Sequence, residues 1–186
     1  FTSSTEFVSP SNSLTDSPVG NYSPFANMSI TSSDITISNM AVFAQLKFYA
    51  KWEIEKGYDY FQVLISTDGG GSFDPLCGKY TSTGTADQDP GEPLYDGVMN
   101  NWVLEEINLN SFIGTTIQLK VIFKSDPGLQ MDGFYMDDLI VEMIVPVGIN
   151  EVPGESIIHV WPNPVINELN VSTNLPNQEF QIFEFF

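Results

Sequence analysis

The chain has 186 residues, 42% of them hydrophobic, and carries 24 acidic residues against six lysines and no arginine, a formal net charge of −18. That length allows one domain of ordinary size plus an appendage, with enough apolar residues for a packed core. The charge excludes nucleic acid and anionic membrane surfaces as expected partners, because both need positive potential, and it suits a soluble extracellular protein or one that binds hard cations.

Residues 1–29 are rich in Ser, Thr, Asn and Pro, with Pro10, Pro18, Gly20 and Pro24 as punctuation. This predicts an extended lead-in with turns. Strand character begins at Ile30, Ile35 and Ile37. From Leu46 to Ile54 the pattern alternates: Leu46, Phe48, Ala50, Trp52 and Ile54 share one face, with Lys47, Tyr49, Lys51 and Glu53 on the other. A period of two with one polar face predicts a half-buried antiparallel strand. Glu55-Lys56-Gly57 reads as a turn and Tyr58–Ser66 as the returning strand, so residues 46–66 are expected to form a hairpin. Thr67-Asp68-Gly69-Gly70-Gly71 is a second turn, and Phe73–Tyr80 returns.

Residues 81–100 hold Gly84, Pro90, Gly91, Pro93 and Gly97 with several acids, which predicts a long, mobile surface loop. Asn101–Leu109 reads as a strand with Trp102, Leu104 and Ile107 inward. Ile117, Leu119, Val121 and Phe123 mark the inner face of the next strand. After an acidic loop over 126–133 comes a last strand, Phe134–Val145. Many short strands joined by Gly, Pro and Asp turns, with no amphipathic helix, predict an all-β fold of about seven to nine strands in two sheets.

Residues 146–156 read as a linker with two prolines and two glycines. The chain then restarts as a strand over 157–161, a Pro162-Asn163-Pro164 turn and a second strand to Val171. About thirty residues cannot bury enough surface to fold alone, so this reads as the start of a further domain. Phe1 in place of Met, and the abrupt end at Phe186, read as cuts through a longer protein. No run of 18 apolar residues predicts a transmembrane segment.

Three stretches carry a family resemblance: Ser13–Tyr22, Ala50–Tyr60 running on to Gly70, and Ser125-Asp126 followed by Asp132–Leu139. Over residues 6–145 they resemble the MAM-like jelly-roll module found beside the catalytic domains of secreted bacterial metallopeptidases. The nearest likeness is to the accessory domain of zinc carboxypeptidases from Bacteroidetes. A second resemblance lies in Val160-Trp161-Pro162-Asn163-Pro164-Val165 with Leu169 and Val171, which is similar to the opening of a type IX secretion sorting domain. Trp161 stands there where Tyr is more usual. These resemblances imply an antiparallel jelly-roll β-sandwich (residues 1–145), the linker (146–156) and a truncated β-sandwich sorting domain (157–186). They imply a secreted or surface protein, exported across the outer membrane and recognised by the type IX machinery through its tail. A catalytic domain would then precede Phe1.

The residues themselves offer no complete active site. His159 is the sole histidine, too few for a His-rich zinc centre. Cys77 is read as a small, half-buried structural residue. Glu105 and Glu106 are adjacent on a strand and point to opposite faces, so they form no glycosidase pair. The strongest constellation is calcium: one of Asp137 and Asp138 must face inward, where a carboxylate needs a partner or a metal. The module resemblance puts a structural calcium ion where the last strand meets the N-terminal segment, with Asp16 as the partner and carbonyls completing the shell. Asp59, Asp126 and Asp132 are weaker candidates. Of the aromatics that could form a glycan platform, Trp52, Tyr58, Tyr60, Tyr95 and Trp102, only Tyr95 is expected to be exposed. A stand-alone adhesion or carbohydrate- or protein-binding module stays open as the alternative function.

Overall fold

The computed structural model describes residues 1–146, 158–161 and 170–173. The chain divides into two compact units, Phe1–Pro146 and Val147–Phe186.

The first unit is all-β. One sheet has the order β1 (Thr2–Ser3), β2 (Ser13–Thr15), β12 (Gly133–Ile144), β5 (Phe43–Ile54), β10 (Gly97–Asn108). The other runs β3 (Asn27–Thr31), β11 (Thr116–Lys124), β6 (Tyr60–Ser66), β7 (Asp74–Pro75), and β4 (Ile35–Thr36) also pairs with β11. A small ribbon joins β8 (Ser82–Thr83) to β9 (Pro93–Leu94). Every pairing is antiparallel, and the one helical turn among the described residues is a 3-10 turn at Asn110–Phe112. The arrangement is that of a β-sandwich.

The alternation in β5 produces the core. Leu46, Phe48, Ala50, Trp52 and Ile54 are all buried, and they meet Phe61, Val63 and Ile65 of β6 and Ile117, Leu119, Val121 and Phe123 of β11. Each such large side chain contributes about 1.5–3 kcal/mol by leaving water. Phe61 stacks between Tyr95 and Phe134, with centroids 4.5 and 4.8 Å away, and Trp52 meets Phe61 and Tyr95 edge-on.

Four local expectations change. Residues 46–66 are not a hairpin: β5 pairs with β10 and β12, and β6 with β11 and β7, so the turn at Gly57 carries the chain from one sheet to the other. Partners distant in sequence bury both faces of β6, which a local alternation cannot reveal. In β10 the inner residues are Val103, Glu105 and Ile107, opposite Ala50, Phe48 and Leu46, while Trp102 and Leu104 are half-buried on the outer side. The 81–100 segment packs down on the sandwich: Leu94 and Tyr95 are fully buried, and Tyr95 and Phe61 exchange backbone hydrogen bonds. Cys77 is exposed rather than half-buried.

In the second unit β13 (Ile158–Trp161) pairs antiparallel with β14 (Asn170–Thr173), with Val160 opposite Val171. Pro162, Asn163, Pro164 and Leu169 of the expected secretion motif lie outside the described residues, as do 147–156 of the expected linker.

Candidate functional site

The acids expected to hold calcium sit where the N-terminal segment meets β12. Asp16 follows β2 directly. Its Oδ1 accepts the Phe134 amide at 2.6 Å, its Oδ2 has no partner, and the residue is only 3% exposed. Burial raises its pKa to about 6, against the opposing pull of the Phe134 amide. The carboxylate lies directly over Gly133, whose φ of +95° suits glycine and where a Cβ would collide with both oxygens.

Asp137 uses its carboxylate differently. Oδ2 accepts the Val8 and Ser9 amides at 2.7 and 3.0 Å, and Oδ1 accepts the Asp138 amide at 2.9 Å. Asp138 is exposed, has φ +50° in an irregular stretch of β12, and accepts the Ser9 hydroxyl at 2.5 Å. The two residues therefore fasten the lead-in segment to the last strand. Asp132 accepts the Tyr135 hydroxyl at 3.3 Å.

Among the described residues, one group of three potential metal-ligating side chains has its ligand atoms within 4.8 Å of one another, and it is Glu55, Asp59 and Asp126. Asp59 is fully buried; its Oδ2 accepts the Tyr22 hydroxyl and its Oδ1 the Asp126 amide, both at 2.6 Å. Desolvation raises its pKa, opposed by the bonds from Tyr22 and Asp126. Glu55 Oε2 accepts the Leu129 amide at 3.0 Å, and Asp126 Oδ1 the Gly128 amide at 2.6 Å. By donor type these oxygens could hold a hard cation. Sequence reasoning singled out Asp59 and Asp126 weakly and missed Glu55. Asp59 precedes β6 and Asp126 follows β11, and the pairing of those two strands, with Tyr60 opposite Lys124, brings the acids together.

Asp126 also lines a groove of about 290 Å³ with Tyr58, Tyr60, Asp87, Gln88, Asp89, Lys124 and Ser125. Lys124 lies over the Tyr60 ring, 5.5 Å from its centroid, and 3.5 Å from Asp89. Tyr58 is 46% exposed, whereas Tyr95, Trp52 and Tyr60 are buried. Tyr95 is thus removed as an exposed platform: its ring fills the core between the sheets.

A further buried acid explains the packed 76–95 segment. Glu105 accepts the Lys79, Tyr80 and Glu106 amides and the Tyr95 hydroxyl at 2.8–3.1 Å. Glu106 points outward and is exposed, as the strand period requires. Every oxygen of Glu105 is committed to holding a loop, so its burial serves structure.

The chain is 34% identical over 100 residues to a protein named pre-pro-metalloprotease PrtV from Vibrio cholerae serotype O1, a stretch covering 54% of this chain and 10% of that protein. It is 25% identical over 123 residues to bacillopeptidase F of Bacillus subtilis strain 168, covering 66% of this chain and 7% of that protein. The chain therefore spans about a tenth or less of the length of these relatives. Residues 4–145, nearly the whole of the first unit, match the family described as immune inhibitor A-like, MAM domain, and the chain belongs to that family.

Proposed function

We propose that this chain is a non-catalytic jelly-roll accessory module of a secreted bacterial metalloprotease. The family match over residues 4–145 carries the reading, and the metalloprotease name of a 34% identical relative supports it. The commitment of buried Asp59, Glu105 and Asp137 to amides and hydroxyls supports a structural use of these acids. The parent is proposed to be a zinc carboxypeptidase-type enzyme of a Bacteroidetes bacterium. Its tail, from Trp161 through Pro162-Asn163-Pro164 to Leu169, opens a type IX sorting domain that carries it across the outer membrane. The test is to fuse the parent protein's whole tail, from residue 146 onward, to a periplasmic reporter in a type IX-competent host. Release into the medium is expected, and retention in the periplasm in both wild-type and type IX-deficient cells would overturn the tail reading.

A structural calcium ion belongs to the same proposal. Asp137 does not fit as a principal ligand, because its two oxygens serve three amides. Asp16 fits better: its Oδ2 is deeply buried without a partner. Asp16 would supply the carboxylate and nearby carbonyls the remaining oxygens. The midpoint of urea unfolding should fall when excess chelator is added and recover with calcium; an unchanged midpoint removes the ion from the account.

A further inference from the structure

We propose that the groove between Tyr58 and Lys124 binds an arginine side chain of a partner polypeptide. The groove already shows its chemistry. Within it the protein's own cation, Lys124, lies over the ring of Tyr60 and against the carboxylate of Asp89. The same groove is lined by the half-exposed ring of Tyr58 and by Asp87 and Asp126, so a second ring and further carboxylates face the same space.

The chain's own cations are few and mostly engaged. It has no arginine and six lysines. Lys47, Lys51 and Lys124 pair with Glu142, Glu6 and Asp89, Lys79 and Lys120 lie over Tyr80 and Phe73, and the exposed Lys56 packs its stem against Gly97. The net charge of −18 draws cations to the surface, and the carboxylates of Glu55 and Asp59 behind Asp126 deepen the negative potential there.

A guanidinium fits this place better than an ammonium. It stacks flat on an aromatic ring and engages carboxylates through a rigid fork of donors. It also fits better than a bare ion. The groove of about 290 Å³ far exceeds an ion's needs and falls just below the usual range of small-molecule pockets, about 300–1,000 Å³. Asp59, the central member of the acid trio, is sealed from solvent and spends an oxygen on each of two donors. This inference stands on the groove alone and does not depend on the parent being a protease.

The test is a titration of the 186-residue chain, followed by amide NMR at about 0.15 M salt to suppress diffuse attraction. The probe is a short acetylated Gly-Gly-Arg-Gly-Gly amide, with the citrulline version and calcium chloride as comparators. Shifts confined to the segments around Tyr58, Asp87–Asp89 and Lys124–Asp126 are expected with the arginine peptide and not with citrulline. Asp87→Asn and Tyr58→Ala should each weaken binding by up to about fivefold, the range of exposed charge pairs and cation–π contacts. The charge-matched control Glu106→Gln, on β10, should leave binding unchanged. Equal weakening by Glu106→Gln, equal binding of citrulline, or shifts with calcium but not with the arginine peptide would each overturn the proposal.

Discussion

Replacing Gly133 by alanine tests the junction of β2 and β12 most severely. Two costs add. A residue with a Cβ at φ +95° is strained by about 1–2 kcal/mol. The new Cβ would occupy the place of the Asp16 carboxylate, which must move and leave the buried Phe134 amide without its acceptor, at about 1–3 kcal/mol. The expected loss is about 2–5 kcal/mol, a large share of the roughly 5–15 kcal/mol typical of a domain. Urea unfolding followed by tryptophan fluorescence reads the loss as a shifted midpoint, provided the slope is unchanged. A double-mutant cycle isolates the mechanism. In an Asp16→Ala background the carboxylate is gone, so Gly133→Ala should cost only the backbone strain, about 1–2 kcal/mol. The reasoning is refuted if Gly133→Ala costs under about 1 kcal/mol, or if its cost is the same in both backgrounds.

Three further outcomes follow from the buried acids. The pKa of Asp16 is raised from 3.8 to about 6, so folding favours its protonated form. With chelator present, its contribution to stability is full below pH 4 and lost as pH rises through 6, by roughly 3 kcal/mol. Asp16→Asn should flatten that slope between pH 4 and 7, and parallel curves for both proteins would count against it. Glu105→Ala removes the acceptor of three amides and one hydroxyl; it should cost about 3 kcal/mol and sharply speed hydrogen exchange at Lys79 and Tyr80, while Glu105→Gln should do less. Asp137→Ala frees the Val8 and Ser9 amides, so limited proteolysis should cut within residues 6–10 well before the sandwich core yields.

The core was largely legible in the sequence because β5 and β11 alternate cleanly, with one face polar. The pattern failed where tertiary contacts override local period. Residues Val103-Leu104-Glu105-Glu106-Ile107 do not alternate by hydropathy, and the fold buries Glu105 while leaving Leu104 half outside, because loop amides satisfy the carboxylate. The 81–100 segment reads as a loop from its prolines and glycines, yet Leu94 and Tyr95 carry it into the core. Strand alternation shows that one of Asp137 and Asp138 faces inward and needs a partner or a metal. That the partners are amides of residues 8 and 9 depends on a contact across nearly 130 residues, which spacing cannot disclose. Glu55 was missed for the same reason: its neighbours Asp59 and Asp126 meet it only after the chain crosses between sheets and β6 pairs with β11.

The central claim is that this module assists a metalloprotease without itself cleaving. The most direct measurement compares the parent enzyme, intact and lacking residues 4–145, on a protein substrate and on a short peptide, beside the purified 186-residue chain supplied with zinc and calcium. The account predicts no cleavage by the chain alone, and a parent whose activity or stability on protein substrate falls on deletion while turnover of the short peptide by the surviving fold is kept. Hydrolysis by the purified chain, or a deletion that leaves stability and both activities unchanged, would contradict it.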